Sequence, residues 1–193
     1  MVSLRQRNRL NAMRATQRAA LTMFIERGFD EVTVGEIADE VDMAASTIYR
    51  HFSTKEAIVI WDEHDTAIDK ALEAALKAQP PLQAIRSVFV DELGTRYDAD
   101  LEFQLRRIQY IYATEQLHAA AVEADLRDRD ELTEALEHFM SKANRQAAAV
   151  IAGAALLALD VAIDRWQAGN AKRPLAAHIT ETFDHLTRLD TLA

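Results

Sequence analysis

Apolar residues recur at helical spacing through most of this chain of 193 residues. The first run has a clear stop, because Gly28 suits the left-handed position that follows a helix and Phe29 can pack back on Phe24. Glycine and proline number only 5 and 3, and good helix formers fill the space between them. The pattern predicts an all-α protein that opens with a helix over residues 5–27. The apolar positions of that helix are Leu10, Met13, Ala20, Phe24 and Ile25.

Two short helices follow, joined by a tight turn. Thr33 and Glu36 have the spacing of a capping box, so the second helix starts at Thr33. The pattern breaks at Asp42 and resumes with Ile48 and Phe52, four residues apart, on a third helix. Two short helices around a tight turn are the organisation of a helix-turn-helix.

The remaining helices are longer. A second capping box, Ser53 to Glu56, opens a fourth helix whose pattern continues to Ala78 and stops before Pro80 and Pro81. A helix of that length can join two domains. Beyond it, the pattern predicts helices over residues 82–94, 99–118, 130–143, 145–168 and 175–190.

Charge is distributed unevenly along the chain. Residues 1–29 hold six arginines and one acid, a net charge of +5, which leaves −14 on the rest of a chain whose net charge is −9. A basic arm on an acidic body indicates a polyanionic partner bound by one end, although a solvated helix face can also use arginine.

The third helix carries small and polar residues beside its two apolar positions. Small residues let a helix sink into the major groove, and the side chains of Tyr49, His51 and Lys55 can then donate to phosphate oxygens. If each residue is considered separately, another interpretation is available: Tyr49 belongs to the core, Arg50 is solvated and His51 serves as a cap. The basic first helix and the two capping boxes favour the DNA-binding interpretation.

The segment from Met13 to Ile60 resembles the DNA-binding domain of the TetR family of transcriptional regulators. The matching stretches are Phe24 to Phe29, Thr33 to Ala38 and Thr47 to Glu56. The resemblance implies a homodimeric repressor that binds a palindromic double-stranded DNA operator. The DNA contacts that it implies are Thr33, Ala44, Ala45, Ser46, Thr47, Tyr49, His51 and Lys55.

Two positions depart from the family pattern. Asp42 stands where the turn usually has glycine, and aspartate tolerates left-handed backbone better than most residues. Ala44 stands where a serine usually caps the third helix, and an alanine cap costs about 1 kcal/mol. Base contacts through the alanines are then apolar, and we expect Ser46, Thr47 and Arg50 to carry direct readout.

We expect residues 1–62 to form the helix-turn-helix domain and residues 63–193 a helical domain. By the same resemblance, the second domain binds the partner subunit and a small-molecule effector, either a fatty acyl-CoA or another hydrophobic compound. Residues 146–166 are apolar nearly all round, which predicts burial on every side. A four-helix bundle made by two subunits satisfies that requirement, as does burial in a monomer core. The last helix would contribute Leu175, Ile179, Phe183 and Leu186 to the bundle.

An effector pocket is harder to place. Arg106 and Arg107 lie in an apolar stripe and can meet an anionic ligand, or else extend outward toward neighbouring acids. Residues 105–120 and the Ala-rich helix resemble the C-terminal domain of mycofactocin-regulator-type members, some of which bind fatty acyl-CoA, but a proline expected before Leu117 is absent. The candidate lining residues are Trp61, His64, Phe89, Phe103, Arg106, Arg107 and Tyr110.

Other classes of protein find less support. Glu115 and His118 form only half of the pair that a di-iron helical bundle requires, so we expect no enzyme, metal or cofactor. A helical adaptor explains the apolar helix but not the first sixty residues. The chain has no cysteine, and its longest apolar run is 13 residues where a membrane span needs about 20. We expect no export signal, because no apolar segment follows the first arginines. We therefore expect a cytoplasmic protein away from the membrane.

Overall fold

The computed structural model describes residues 4–63, 65–142 and 144–188. Every regular element within these ranges is helical, which confirms the predicted all-α class. Between α6 and α7, Phe89–Gly94 is π-helical, and Arg145–Ala147 is a 3₁₀ turn. The α-helices are α1 (Leu4–Arg27), α2 (Val34–Glu40), α3 (Ala45–His51), α4 (Lys55–Ile60), α5 (Asp65–Leu76), α6 (Pro81–Val88), α7 (Thr95–Ala99), α8 (Leu101–Ala113), α9 (Glu115–Phe139), α10 (Ala148–Ala168) and α11 (Leu175–Thr187).

The chain forms two compact units. The first contains residues 1–63 and 106–121, and the second contains residues 64–105 and 122–193. The junction after residue 63 lies next to the domain boundary expected from the sequence. Residues 106–121, expected from the sequence to belong to the second domain, cluster instead with the first.

The first unit is built on the face of α1 that packs against α2, α3 and α4. Its core includes Phe24, Ile37 and Ile48, each at most 1% exposed, and burial of a side chain of that size stabilises the fold by roughly 1.5–3 kcal/mol. The predicted end of α1 is confirmed, since Gly28 has φ 95° and the Phe24 and Phe29 ring centroids lie 5.0 Å apart.

The long fourth helix predicted from Lys55 to Ala78 is wrong, because α4 ends at Ile60. At Trp61 the backbone becomes extended, with ψ 127°. The side chain of Gln17 donates to the carbonyls of Ile58 (3.0 Å) and Trp61 (2.7 Å). In a continuing helix these carbonyls would accept from amides four residues further on, so side chains take the place of the next turn.

The cap of α4 also differs from expectation. Its N-cap is Thr54 rather than Ser53, and the Thr54 hydroxyl accepts from the amide of Ala57 at 3.1 Å. Three residues after this cap stands an alanine, which has no carboxylate to reach back, so the second capping box is absent.

The predicted helices over 99–118 and 130–143 are replaced by α8 and by a 25-residue α9. The stretch Glu123–Glu131 lies mostly exposed in the middle of α9, and Leu126 is its one large apolar residue. Because this stretch buries few apolar side chains, the spacing of apolar residues could not predict the helix there.

Helix α10 is not buried on every side within the chain. It packs with Ala152, Ala155 and Trp166, all at 0% exposure, whereas Val150 and Leu157 are 70% and 64% exposed. In the described ranges, Arg145–Ala168 is the one segment long and apolar enough to cross a membrane by length and composition. Helix α10 packs against α11 in the second unit. Residues expected at the subunit interface are already buried within the second unit: Leu175, Ile179 and Phe183.

Candidate nucleic-acid interface

The first helix of the helix-turn-helix begins in the predicted capping box. Thr33 Oγ1 accepts from the amide of Glu36 at 3.2 Å, and the amide of Thr33 donates to the Glu36 carboxylate at 2.8 Å. The Thr33 amide, followed by an ion pair with Arg27 at 2.6 Å, lowers the pKa of Glu36 to about 2. The carboxylate is therefore ionised at neutral pH, and the start of α2 is held against α1 by charge.

The turn between α2 and α3 has the backbone expected of it. Asp42 has φ 51°, in the left-handed region, which confirms that aspartate serves there in place of glycine. The amide of Met43 donates to the carbonyl of Ala38 at 2.9 Å and closes the turn. The register of α3 relative to α2 is set by this turn.

Helix α3 divides into a buried and an exposed side. Ile48 and the adjoining Phe52 are 1% and 3% exposed and hold α3 to the core. Ser46, Tyr49 and Arg50 are exposed, Tyr49 to 54%. The exposed side thus offers hydroxyl and guanidinium donors on a helix whose other side is fixed.

The N-terminus of α3 lacks a side-chain cap, as the sequence predicted. Ala44 is the N-cap residue, with extended backbone and no side-chain hydrogen bond. We expect Ala44→Ser to raise the free energy of unfolding in urea by about 1 kcal/mol, because serine can accept from a free amide of the first turn. The control is Ala45→Ser, one residue inside the helix, and an equal gain in that variant would contradict the capping explanation.

Positive charge gathers at the C-terminal end of α3. Burial, followed by the charges of Arg9 and Arg50, lowers the pKa of His51. The imidazole is therefore neutral at neutral pH and acts as a hydrogen-bonding group. Arg9 belongs to the basic segment of α1, so that segment extends the cationic surface beyond α3.

Lys55 has partners inside the first unit. Its Nζ donates to the carbonyls of Phe29 (2.7 Å) and Val32 (3.2 Å) and lies 4.1 Å from the centroid of the Phe29 ring. An ammonium has three donors, so the phosphate contact predicted for Lys55 would use the third. In this position the lysine also ties the start of α4 to the loop that precedes α2.

The residues predicted to line an effector pocket are divided between the two units. Phe89 is 6% exposed and packs edge-on against Phe183, with ring centroids 6.2 Å apart. The pocket stays a prediction. Trp61, Arg106, Arg107 and Tyr110 belong to the first unit, Phe89 and Phe103 to the second, and His64 lies outside the described residues.

The second unit has an open groove of about 770 Å³ along α11. None of the predicted pocket residues lines it. Its lining residues are Arg173, Pro174, Ala176, Ala177, Thr180, Glu181, Asp184, His185 and Arg188.

One residue of the first unit, Gln17, was not identified from the sequence. Gln17 is 6% exposed and binds three carbonyls at the end of α4. It interrupts the apolar face of α1 between Met13 and Leu21. A polar residue at a core position needs a buried partner, and that signal could have identified it.

Residues 18–60 match the family model described as bacterial regulatory proteins, tetR family. Over these residues the chain is similar to the tetR family of bacterial regulatory proteins. It is 37% identical over 103 residues to the HTH-type transcriptional regulator TcmR of Streptomyces glaucescens, a match that covers 51% of this chain and 45% of TcmR. The match therefore spans less than half of that relative.

Solved structures of transcriptional regulators share the fold over nearly the whole chain. FadR of Thermus thermophilus, in complex with lauroyl-CoA, superposes with a TM-score of 0.55 at 21% identity and covers 94% of this chain and 95% of its own. FadR of Bacillus subtilis, in complex with stearoyl-CoA, gives 0.52 at 18% identity over 89% and 96%. Identities this low show a common fold, with an N-terminal helix-turn-helix and a C-terminal helical domain.

Proposed function

We propose that this chain is a TetR-family transcriptional repressor that binds a palindromic DNA operator as a homodimer and works in the cytoplasm. The observation that carries the proposal is the exposed side of α3, where Tyr49 and Arg50 project while Ile48 and Phe52 anchor the helix. An α-helix fits the major groove of B-DNA, and a helix anchored to the core on one side presents its donors there without further ordering.

The residues of α3 divide by chemistry into base-reading and phosphate-binding groups. Arg50 can bind the edge of a guanine with two hydrogen bonds, and Thr47 lies within 3.5 Å of its guanidinium. Ala44 and Ala45 can contact only apolar groups such as thymine methyls. For the phosphate oxygens we propose Thr33, Tyr49, His51 and Lys55, and Ser46 adds a hydroxyl at the first turn.

A dimer is needed because one short helix reads too few base pairs for specificity. The second unit offers the surface for it. Val150 and Leu157 stand seven residues apart on the exposed side of α10, with Gly153 and Ala154 between them. Small residues at the centre of an apolar stripe let the same helix of a second subunit approach closely.

We propose a fatty acyl-CoA as the effector that releases DNA. The two FadR structures hold lauroyl-CoA and stearoyl-CoA on the same fold, and the C-terminal resemblance indicates the same ligand class. A metal-dependent enzyme lacks comparable support, since no three His, Asp or Glu residues in the described ranges lie close enough to hold a metal ion.

Fluorescence anisotropy with a labelled duplex from upstream of the protein's own coding sequence tests both parts of this proposal. We expect the purified chain to bind this duplex roughly a thousandfold more tightly than an unrelated duplex. Lauroyl-CoA should weaken that binding by about 5- to 150-fold, the usual range for coupled sites. Equal affinity for both duplexes contradicts the proposed function, whereas specific binding that lauroyl-CoA leaves unchanged contradicts only the effector class.

A further inference from the structure

The end of α4 is held by a buried arginine from α8. The Arg107 side chain is 3% exposed, and its Nη1 lies 3.0 Å from the carbonyl oxygen of Trp61 and 3.3 Å from that of Ile60. A longer contact, 3.4 Å, reaches the carbonyl of Val59. Its Nη2 pairs with the carboxylate of Asp62 at 2.9 Å.

These contacts provide hydrogen-bond partners both for the carbonyls at the end of α4 and for the guanidinium of Arg107. The last carbonyls of a helix carry partial negative charge and lack amide donors, so a cation placed there is favourable. Arginine supplies five donors in a rigid fork, which lets Arg107 bind several carbonyls and Asp62 together. A lysine would bring a point charge that cannot span the same set.

A second side chain of α8 binds the end of α1. Tyr110, one turn beyond Arg107, donates from its hydroxyl to the carbonyl of Phe24 at 3.0 Å. Burial raises the pKa of Tyr110, so the hydroxyl keeps its proton and remains a donor. Two successive turns of α8 are thus bonded to the ends of the two helices that flank the helix-turn-helix.

The end of α4 bears on the position of α3. Only residues 52–54 separate the two helices. The ring of Phe52, which ends α3, also packs edge-on against Trp61, with centroids 5.8 Å apart. A shift at the end of α4 is therefore passed to α3 through a short connection and a direct aromatic contact.

We propose that Arg107 is a positioning residue for DNA binding: it fixes the end of α4, and through α4 the recognition helix, although it lies on no DNA-facing helix. This inference rests on the proposed function. It assigns to Arg107 a role in the first unit rather than the ligand contact expected from the sequence. It also makes α8, which begins in the second unit at Leu101 and continues into the first, the segment whose placement sets DNA affinity.

The test uses the full chain and two readouts, anisotropy with the upstream duplex and hydrogen exchange of the α4 amides. The main variant combines Arg107→Met with Asp62→Asn, so that no unpaired carboxylate is left behind. Arg107→Lys keeps the charge. It becomes the main test variant if circular dichroism shows that the double variant does not fold. Arg106→Met is the matched control, since it removes the same charge from the exposed neighbouring position of α8.

We expect the double variant to bind the duplex about tenfold more weakly, the magnitude typical of coupling between sites, and its amides at residues 59–61 to exchange faster. Arg107→Lys should show the same two changes to a smaller degree, and Arg106→Met neither. Any one of four results would overturn the proposal. The first two are unchanged exchange of these amides and unchanged affinity for the duplex in the double variant. The others are wild-type behaviour of Arg107→Lys and an equal loss of affinity in Arg106→Met. If the wild-type chain binds no duplex, the proposed function fails and the DNA part of this inference fails with it, while the exchange readout still decides whether Arg107 holds α4.

Discussion

A chain that carries Val150→Asp and Leu157→Asp should sediment as a monomer and lose at least about 100-fold in affinity for its operator. Both side chains are exposed in the single chain, at 70% and 64%, and would be buried in the dimer. Each buried, unpaired carboxylate costs several kcal/mol, and two-fold symmetry doubles the number. The monomer keeps one recognition helix and half of the contacts. Analytical ultracentrifugation gives the oligomeric state, and anisotropy gives the affinity.

The chain offers a matched control for this pair. Val122 and Leu126 lie on α9 in the same unit and are 49% and 48% exposed. Replacing both with aspartate adds the same charge to another apolar patch, and we expect the dimer to persist. A dimer that survives aspartates at positions 150 and 157 would place the subunit interface elsewhere.

The second large effect is expected on α3 itself. The double substitution Tyr49→Ala and Arg50→Ala should weaken operator binding by about 100-fold, because a lost base contact costs roughly 1–3 kcal/mol and each dimer loses two sets. Ile48 and Phe52 still bury their side chains, so the thermal unfolding temperature should change little. Anisotropy measures the affinity, and circular dichroism checks the fold.

Arg127→Ala provides the control for charge, since Arg127 is exposed on α9 and belongs to the second unit. We expect it to leave operator affinity unchanged. Equal losses from Arg127→Ala and from the α3 variant would mean that overall charge, rather than a specific surface, governs binding.

Features governed by local rules could be predicted from the sequence. The stop at Gly28, the capping box at Thr33, the left-handed Asp42 and the uncapped Ala44 each depend on residues within a few positions of one another. The helix-turn-helix is assembled from such features, so the division of α3 into an anchored and an exposed side followed from its spacing.

Features that depend on residues distant in the sequence could not be predicted in this way. The break after Ile60 is made by Gln17 and Arg107, which lie more than forty positions away in the chain. Apolar periodicity alone favoured one long helix there. For the same reason Arg107 was expected to bind a ligand: a cation in an apolar stripe needs a partner, and the sequence does not say which one.

The most direct test of DNA binding through α3 is a salt titration of operator affinity for the wild-type chain and the Tyr49→Ala, Arg50→Ala variant. We expect the logarithm of the wild-type association constant to fall linearly with the logarithm of salt concentration, with a slope near −0.9 for each phosphate neutralised. The variant should bind more weakly at every salt concentration and no longer distinguish the operator from an unrelated duplex. Coincident titrations for the two proteins would contradict the assignment of α3 as the recognition helix.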